Sequence, residues 1–354
     1  MQAPARKGVE IGVATLADRQ PRTVDGREVT EAARLAQIVE LGVQAEAEGL
    51  DVFGVGEHHS GDFAVSSPVP VLTAVAARTS RIRLTSGVTV LSVHDPVRVH
   101  QDFATLDLLS AGRAEITAGR SAYPEPFALF GVDIERYDEV FAEKLELLLR
   151  LRDEPVLSWR GRHRPPLDRA AVVPRSESLP IWIGAGGSPS SVARAGALGL
   201  PLILGYLGGN PGHLRQLADL YRAAGQQAGH ADRLRFGVAV HYFGAASAEE
   251  AASTYRHYHD FLRPKRPGGG GYPVSRQDFT DGTGPDGPLM IGTSEHVTAK
   301  LVRLHDVVGY DRVQLLADWG GLPPGRVRES VHRLGSEIAP AVRAAIDRTR
   351  KEPA

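Results

Sequence analysis

The chain has 354 residues, of which 42% are hydrophobic and 23% charged, a length that suits one α/β barrel with insertions. Lys and Arg total 41 against 42 Asp and Glu, which excludes a broad nucleic-acid footprint, since that needs surplus cations to release counterions. There is no cysteine, so disulfides, thiolate nucleophiles and cysteine-ligated metals are excluded, and no window supplies the roughly 18 apolar residues of a membrane span.

Short apolar runs alternate with amphipathic stretches along the whole chain. Residues 9–16 read as a strand. Residues 31–48 read as a helix, with Thr30 as its N-cap and Gly49 as its stop. A strand at 51–55, a helix at 69–79 and a β-branched strand at 82–91 follow. Residues 96–109 form a helix opened by Pro96 and closed before Gly112. Then come a strand at 113–118 and a long helix at 135–152. The pattern repeats as strand 180–184, helix 190–198, strand 201–204, helix 213–228, strand 235–243 and helix 248–262. A helix at 294–308, a strand at 313–317 and a closing helical region at 324–348 complete it. Eight strands with helices between them imply a parallel sheet; the pattern alone leaves a closed barrel and an open, doubly wound sheet both standing.

Two segments break the rhythm. Residues 154–178 are rich in Pro and Arg and read as a surface insertion. Residues 264–288 carry Gly268 to Gly271 and several prolines, and read as a long loop and mobile lid. Trp159, Trp182, Trp319, Phe127 and Phe130 are expected in the core; among the aromatics only Tyr123 is given a site role, because of its neighbours.

Three motifs carry chemistry. The first is GEHH, residues 56–59, directly after a strand. Glu57, His58 and His59 there suit proton transfer. They would also suit metal ligation, although no third ligand follows at a telling spacing; the bland alternative is that they brace one another. The second is AGRSAYPEPFALFG, residues 118–131, where Arg120 at a strand end is placed to meet an anion with its planar fork of donors. Its alternative is an ion pair with a nearby acid. The third is IGAGGSPSSVARAGALGLP, residues 183–201, a strand that passes through a Gly-rich turn into a helix. Gly187, Ser188 and Ser191, together with the helix N-terminus, make the recipe of a phosphate cradle without a Walker lysine. An ordinary capped turn is the alternative.

Taken in order, these motifs resemble the bacterial luciferase-like flavin monooxygenases. The resemblance rests on Glu57-His58-His59, HDPVR at 94–98, LDLLSAGR at 106–113, Gly119-Arg120-Ser121, Phe130-Gly131, GGSPSS at 186–191 and GLP at 199–201. It spans residues 9 to about 340. It implies a single (β/α)8 TIM-like barrel and an FMN cofactor taken up reduced from a separate flavin reductase. Arg120, Ser188, Ser191 and Gly187 would hold the FMN phosphate. Residues 85–90 would line the isoalloxazine ring, with a non-proline cis peptide at Gly87-Val88. His58 would be the acid/base, its tautomer held by Glu57 or His59, and Tyr123 would stand beside the cofactor. The implied reaction inserts one atom of O2 into a small organic substrate, in a cytoplasmic homodimer. Ser121 replaces the commoner Gly, and Gly187 stands where the light-emitting members carry an acid, so luminescence is not expected. Two alternatives remain: deazaflavin-dependent hydride transfer on the same fold, and a non-catalytic flavin-binding protein.

Overall fold

The computed structural model describes residues 8–19, 28–121, 123–263 and 271–351. Its first strand, Glu10–Thr15, pairs in parallel with Val52–Val55 on one side and Arg312–Leu316 on the other, and this pairing closes the sheet. Around the ring the order is Glu10–Thr15, Val52–Val55, Arg83–Ser86, Ala114–Gly119, Ile181–Ala185, Leu202–Gly205, Phe236–Ala245 and Arg312–Leu316, with every pairing parallel. The result is a closed eight-stranded barrel with helices between the strands, so the open-sheet alternative falls. No helix among the described residues is long and apolar enough to cross a membrane.

Local chemistry explains the helix boundaries. The Thr30 hydroxyl accepts from the Ala33 amide and caps Glu31–Ala47. Asp95 caps Pro96–Leu109 through the Val97 amide, with proline in the first turn where no intrahelical donor is lost. Ser294–Val308 ends at Gly309, whose φ of 58° closes the helix in the left-handed region.

The third strand is interrupted. Arg83–Ser86 and Thr89–Val90 both pair with Ala114–Gly119, and the Gly87-Val88 peptide between them is cis. The Val88 side chain presses on Gly119 and Gly184, where any Cβ would run into its methyl groups.

Several expectations need correction. Phe130 is not core; it is 45% exposed, whereas Trp159, Trp182, Trp319 and Phe127 are buried. Of the segment read as one long loop, residues 264–270 lie outside the described residues. The rest carries the helix Arg276–Thr283, held by a reciprocal cap between Ser275 and Asp278. A further strand, Met290–Thr293, pairs with the outer half of Phe236–Ala245. The insertion at 154–178 holds a hairpin, Leu157–Trp159 with Leu167–Ala170; its Leu157 and Trp159 pack on Leu147 and Leu151.

Candidate active site

All three motifs leave the carboxyl ends of their strands, the end where barrels place their chemistry. Glu57 follows Val52–Val55 and is buried. Its Oε1 accepts from His59 Nε2 at 2.8 Å and His94 Nε2 at 2.7 Å, and its Oε2 accepts from the Val90 amide at 3.1 Å. Burial pushes the Glu57 carboxyl up, but the hydrogen bonds from His59 and His94 and the Val90 amide together hold it below its ordinary value. Glu57 therefore positions His59 and His94, and ties them to the interrupted third strand.

His94 is the third candidate ligand that the sequence spacing does not show. Glu57, His59 and His94 hold their ligating atoms within 4.8 Å of one another. Their mutual hydrogen bonds already satisfy the carboxylate without an ion.

His58 has a different environment. Its ring stacks on Phe63 with centroids 3.8 Å apart, and Tyr123 meets it edge-on at 5.7 Å. Its Nδ1 is enclosed without a hydrogen-bond partner. Burial pulls the His58 pKa down to about 4, with the Glu57 charge opposing. At neutral pH this favours the uncharged ring, with Nδ1 enclosed and unpartnered. This histidine is biased toward the neutral base. Burial, with Asp62 and Glu125 adding, pushes the Tyr123 phenol up and keeps it protonated. His58, His59, His94, Phe63 and Phe130 line an open pocket of about 670 Å3.

The anion motifs converge as well. Arg120 lies just beyond Ala114–Gly119 and reaches Ser191 and Arg194, which sit on the helix Pro189–Ala197. These three side chains line a void of about 10 Å3 against Phe141 and Ile183. Ser191 Oγ and Arg194 Nη1 are buried and have no partner. Arg120 lies over the Tyr137 ring at 4.7 Å and pairs with Asp138. Gly187 turns the chain into the helix at φ 110°, a conformation that excludes a side chain without strain. Ser188 stands at the helix N-cap, but its hydroxyl meets Ser190 at 2.9 Å and is not part of the void lining.

Sequence reasoning missed Phe63, His94, Asp138 and Arg194. For Arg194 a signal existed: it follows Ser191 by three residues, the spacing that puts two side chains on one helix face. The segment 271–288 borders another pocket, of about 710 Å3, together with Leu207, Gly208 and Tyr258. That lining shares no residue with the histidine pocket.

Residues 9–336 match the luciferase-like monooxygenase family. The limonene 1,2-monooxygenase of Rhodococcus erythropolis is 28% identical over 285 residues, which is 77% of this chain and 72% of that protein. Among solved structures, the oxygenating constituent of 3,6-diketocamphane monooxygenase from Pseudomonas putida, in complex with FMN, superposes with a TM-score of 0.76 at 20% identity, covering 94% of this chain and 98% of that one. The coenzyme F420-dependent tetrahydromethanopterin reductase of Methanopyrus kandleri superposes with a TM-score of 0.71 at 19% identity, covering 94% and 99%. At such identities the two superpositions establish the fold, while the sequence match across nearly the whole chain settles the lineage: the chain belongs to the luciferase-like monooxygenase family.

Proposed function

We propose that the chain is a reduced-flavin-dependent monooxygenase that binds FMN at the carboxyl end of the barrel and inserts one oxygen atom of O2 into a small organic substrate. The observation that carries the reading is the pair of buried, unpartnered polar atoms, Ser191 Oγ and Arg194 Nη1, beside Arg120 at a helix N-terminus. A terminal phosphate supplies the acceptors that these donors lack. Ser188 and the backbone at Gly187 lie at the start of the same helix, where they would come to the phosphate only if the Ser188 hydroxyl leaves Ser190.

When bound, reduced FMN supplies the electron pair that activates O2, and a separate flavin reductase would deliver it reduced. The rest falls to the protein. Arg120 and Ser191 hold the phosphate. Val88, wedged against Gly119 and Gly184, shapes the wall at the barrel mouth. Phe63 and Tyr123 pack against the His58 ring and hold its orientation, and His58 would take and return a proton.

The second reading, hydride transfer with a deazaflavin, is favoured by the F420-dependent relatives. Parallel anaerobic titrations with reduced FMN and reduced F420 separate the two, with FMN expected to bind more tightly. In Arg120→Ala the loss of a charged hydrogen bond should weaken FMN by about 1.5–3 kcal/mol. Unchanged FMN affinity in that variant would overturn the phosphate assignment. FMN binding with no O2-dependent turnover of any substrate tested would leave a flavin-binding protein.

A further inference from the structure

The anion site already contains an anion. Asp138, in the first turn of Tyr137–Asp153, pairs with Arg120, and its Oδ1 lies 3.9 Å from Arg194 Nη2. The void among Arg120, Ser191 and Arg194 measures about 10 Å3, room for roughly one water. Asp138 does not line that void but holds Arg120 from its exposed side, so a phosphate that pairs with Arg120 and Arg194 competes with this carboxylate for them.

Resting on the flavin reading above, we propose that Asp138 is the internal counter-ion of the phosphate site, displaced by the cofactor's terminal phosphate, and that Arg194 is the second cationic ligand of that phosphate. Exposure decides which group moves. The Asp138 side chain is 51% exposed, against 17% for Arg120 and 29% for Arg194. The carboxylate can turn into water while both guanidiniums stay. Displaced, it still lies in the first turn of its own helix, where the macrodipole favours a negative charge.

Charge then selects the ligand. Two guanidiniums balance a phosphate monoester, which carries about −1.5 to −2 at neutral pH. With Asp138 in place the site holds only one net positive charge. A phosphodiester, singly charged, gains less from the exchange, and riboflavin, which has no phosphate, gains nothing. Arg194 contributes a fork whose Nη1 is enclosed and unpaired, one helical step from the equally unpaired Ser191 Oγ.

The test is a set of equilibrium titrations of the full chain with FMN, riboflavin and inorganic phosphate, read by flavin fluorescence and, for phosphate, by thermal protection. Asp138→Asn should bind FMN and inorganic phosphate about two- to fivefold more tightly, the scale of one released exposed ion pair, with riboflavin unchanged. Arg194→Gln should weaken FMN by roughly tenfold or more and leave riboflavin unchanged. The proposal is overturned if Asp138→Asn binds FMN no better than the parent, or if Arg194→Gln weakens FMN and riboflavin alike. Should Arg194→Gln fail to fold, the Asp138→Asn titration decides alone. If FMN does not bind the parent chain, or binds Arg120→Ala equally well, the flavin reading itself fails. If FMN binding depends on Arg120 but neither on Arg194 nor on Asp138, only the present inference fails.

Discussion

At the amino end of the barrel, Arg312 is fully buried and each of its three guanidinium nitrogens is engaged. Its Nε donates to Glu10 at 2.7 Å, and Nη1 and Nη2 donate to Glu115 at 2.5 and 3.1 Å. Arg83 adds a bond to Glu115 and Arg235 one to Glu10, while the Arg312 guanidinium lies 4.1 Å from the Trp182 ring centre. Burial opposes the Arg312 charge, but Glu115 and Glu10 more than offset it and raise its pKa. At the carboxyl end, His58 Nδ1, Ser191 Oγ and Arg194 Nη1 are enclosed and left without partners. Buried polar groups are ordinarily satisfied within the fold. A closed charge network at one end and unpartnered polar atoms at the other point to stability at the first and binding at the second.

The largest expected effect breaks the closed end. Arg312→Met leaves Glu10 and Glu115 buried with only the partly exposed Arg83 and Arg235 as partners, which should cost about 3–5 kcal/mol of unfolding free energy in urea. The folded fraction should bind FMN as the parent does. A drop in FMN affinity with no loss of stability would contradict the division of the molecule into two ends.

His58→Asn probes the open end. The phosphate contacts lie elsewhere, so FMN should still bind. Oxygenation should fall by roughly 100-fold or more, as expected for a lost proton-transfer group. A folded variant that binds reduced FMN and turns over at the parent rate removes His58 from the mechanism.

The same contrast explains what the sequence revealed. The barrel strands were legible because most are short, largely apolar runs set between amphipathic stretches, and the Ser294–Val308 helix because its Gly309 stop is explicit. Glu57, His58, Arg120 and Ser191 were legible because each sits just beyond a strand or at a helix start. The Arg312 network was not, since Glu10, Glu115 and Arg312 are far apart in sequence and look like ordinary charges. Nor was His94 as a Glu57 partner, because it reaches the carboxylate from the loop after another strand. The helix Arg276–Thr283 was hidden by its Gly- and Pro-rich flanks, although Ser275 and Asp278 have the spacing of a capping box.

Acid should reach the open end first. His58 is pulled down to about 4, and His241, fully buried with Nδ1 on the Tyr258 hydroxyl at 2.9 Å, to about 3; burial is the main cause in both. For each the folded pKa lies below the unfolded value near 6.5, so the unfolded chain takes up protons first. Their contribution is fully present above about pH 6.5 and is lost as pH falls toward 4. Each can contribute at most about 1.4 kcal/mol per pH unit in that window. Unfolding free energies measured from pH 7 to 4 should show this slope, reduced in both His58→Asn and His241→Gln. An unchanged slope in both variants would show that other groups control acid stability.

The smallest expected effect concerns shape. Gly184, on the fifth barrel strand, faces the Val88 methyl groups closely enough that a Cβ would overlap them, and Gly119 on the neighbouring strand does the same from its side. Gly184→Ala should therefore cost about 1–3 kcal/mol through overpacking. Val88→Ala removes the atoms that the new methyl would strike. The double variant should be more stable than the sum of the two single losses predicts, with a coupling of about 0.5–3 kcal/mol in a double-mutant cycle. Additive losses would mean that Val88 does not confront Gly184 in solution and that the carboxyl-end wall has another shape. Coupling in stability accompanied by weaker FMN binding in Gly184→Ala alone would place the Val88 wedge at the cofactor, where the shape of this wall acts on binding.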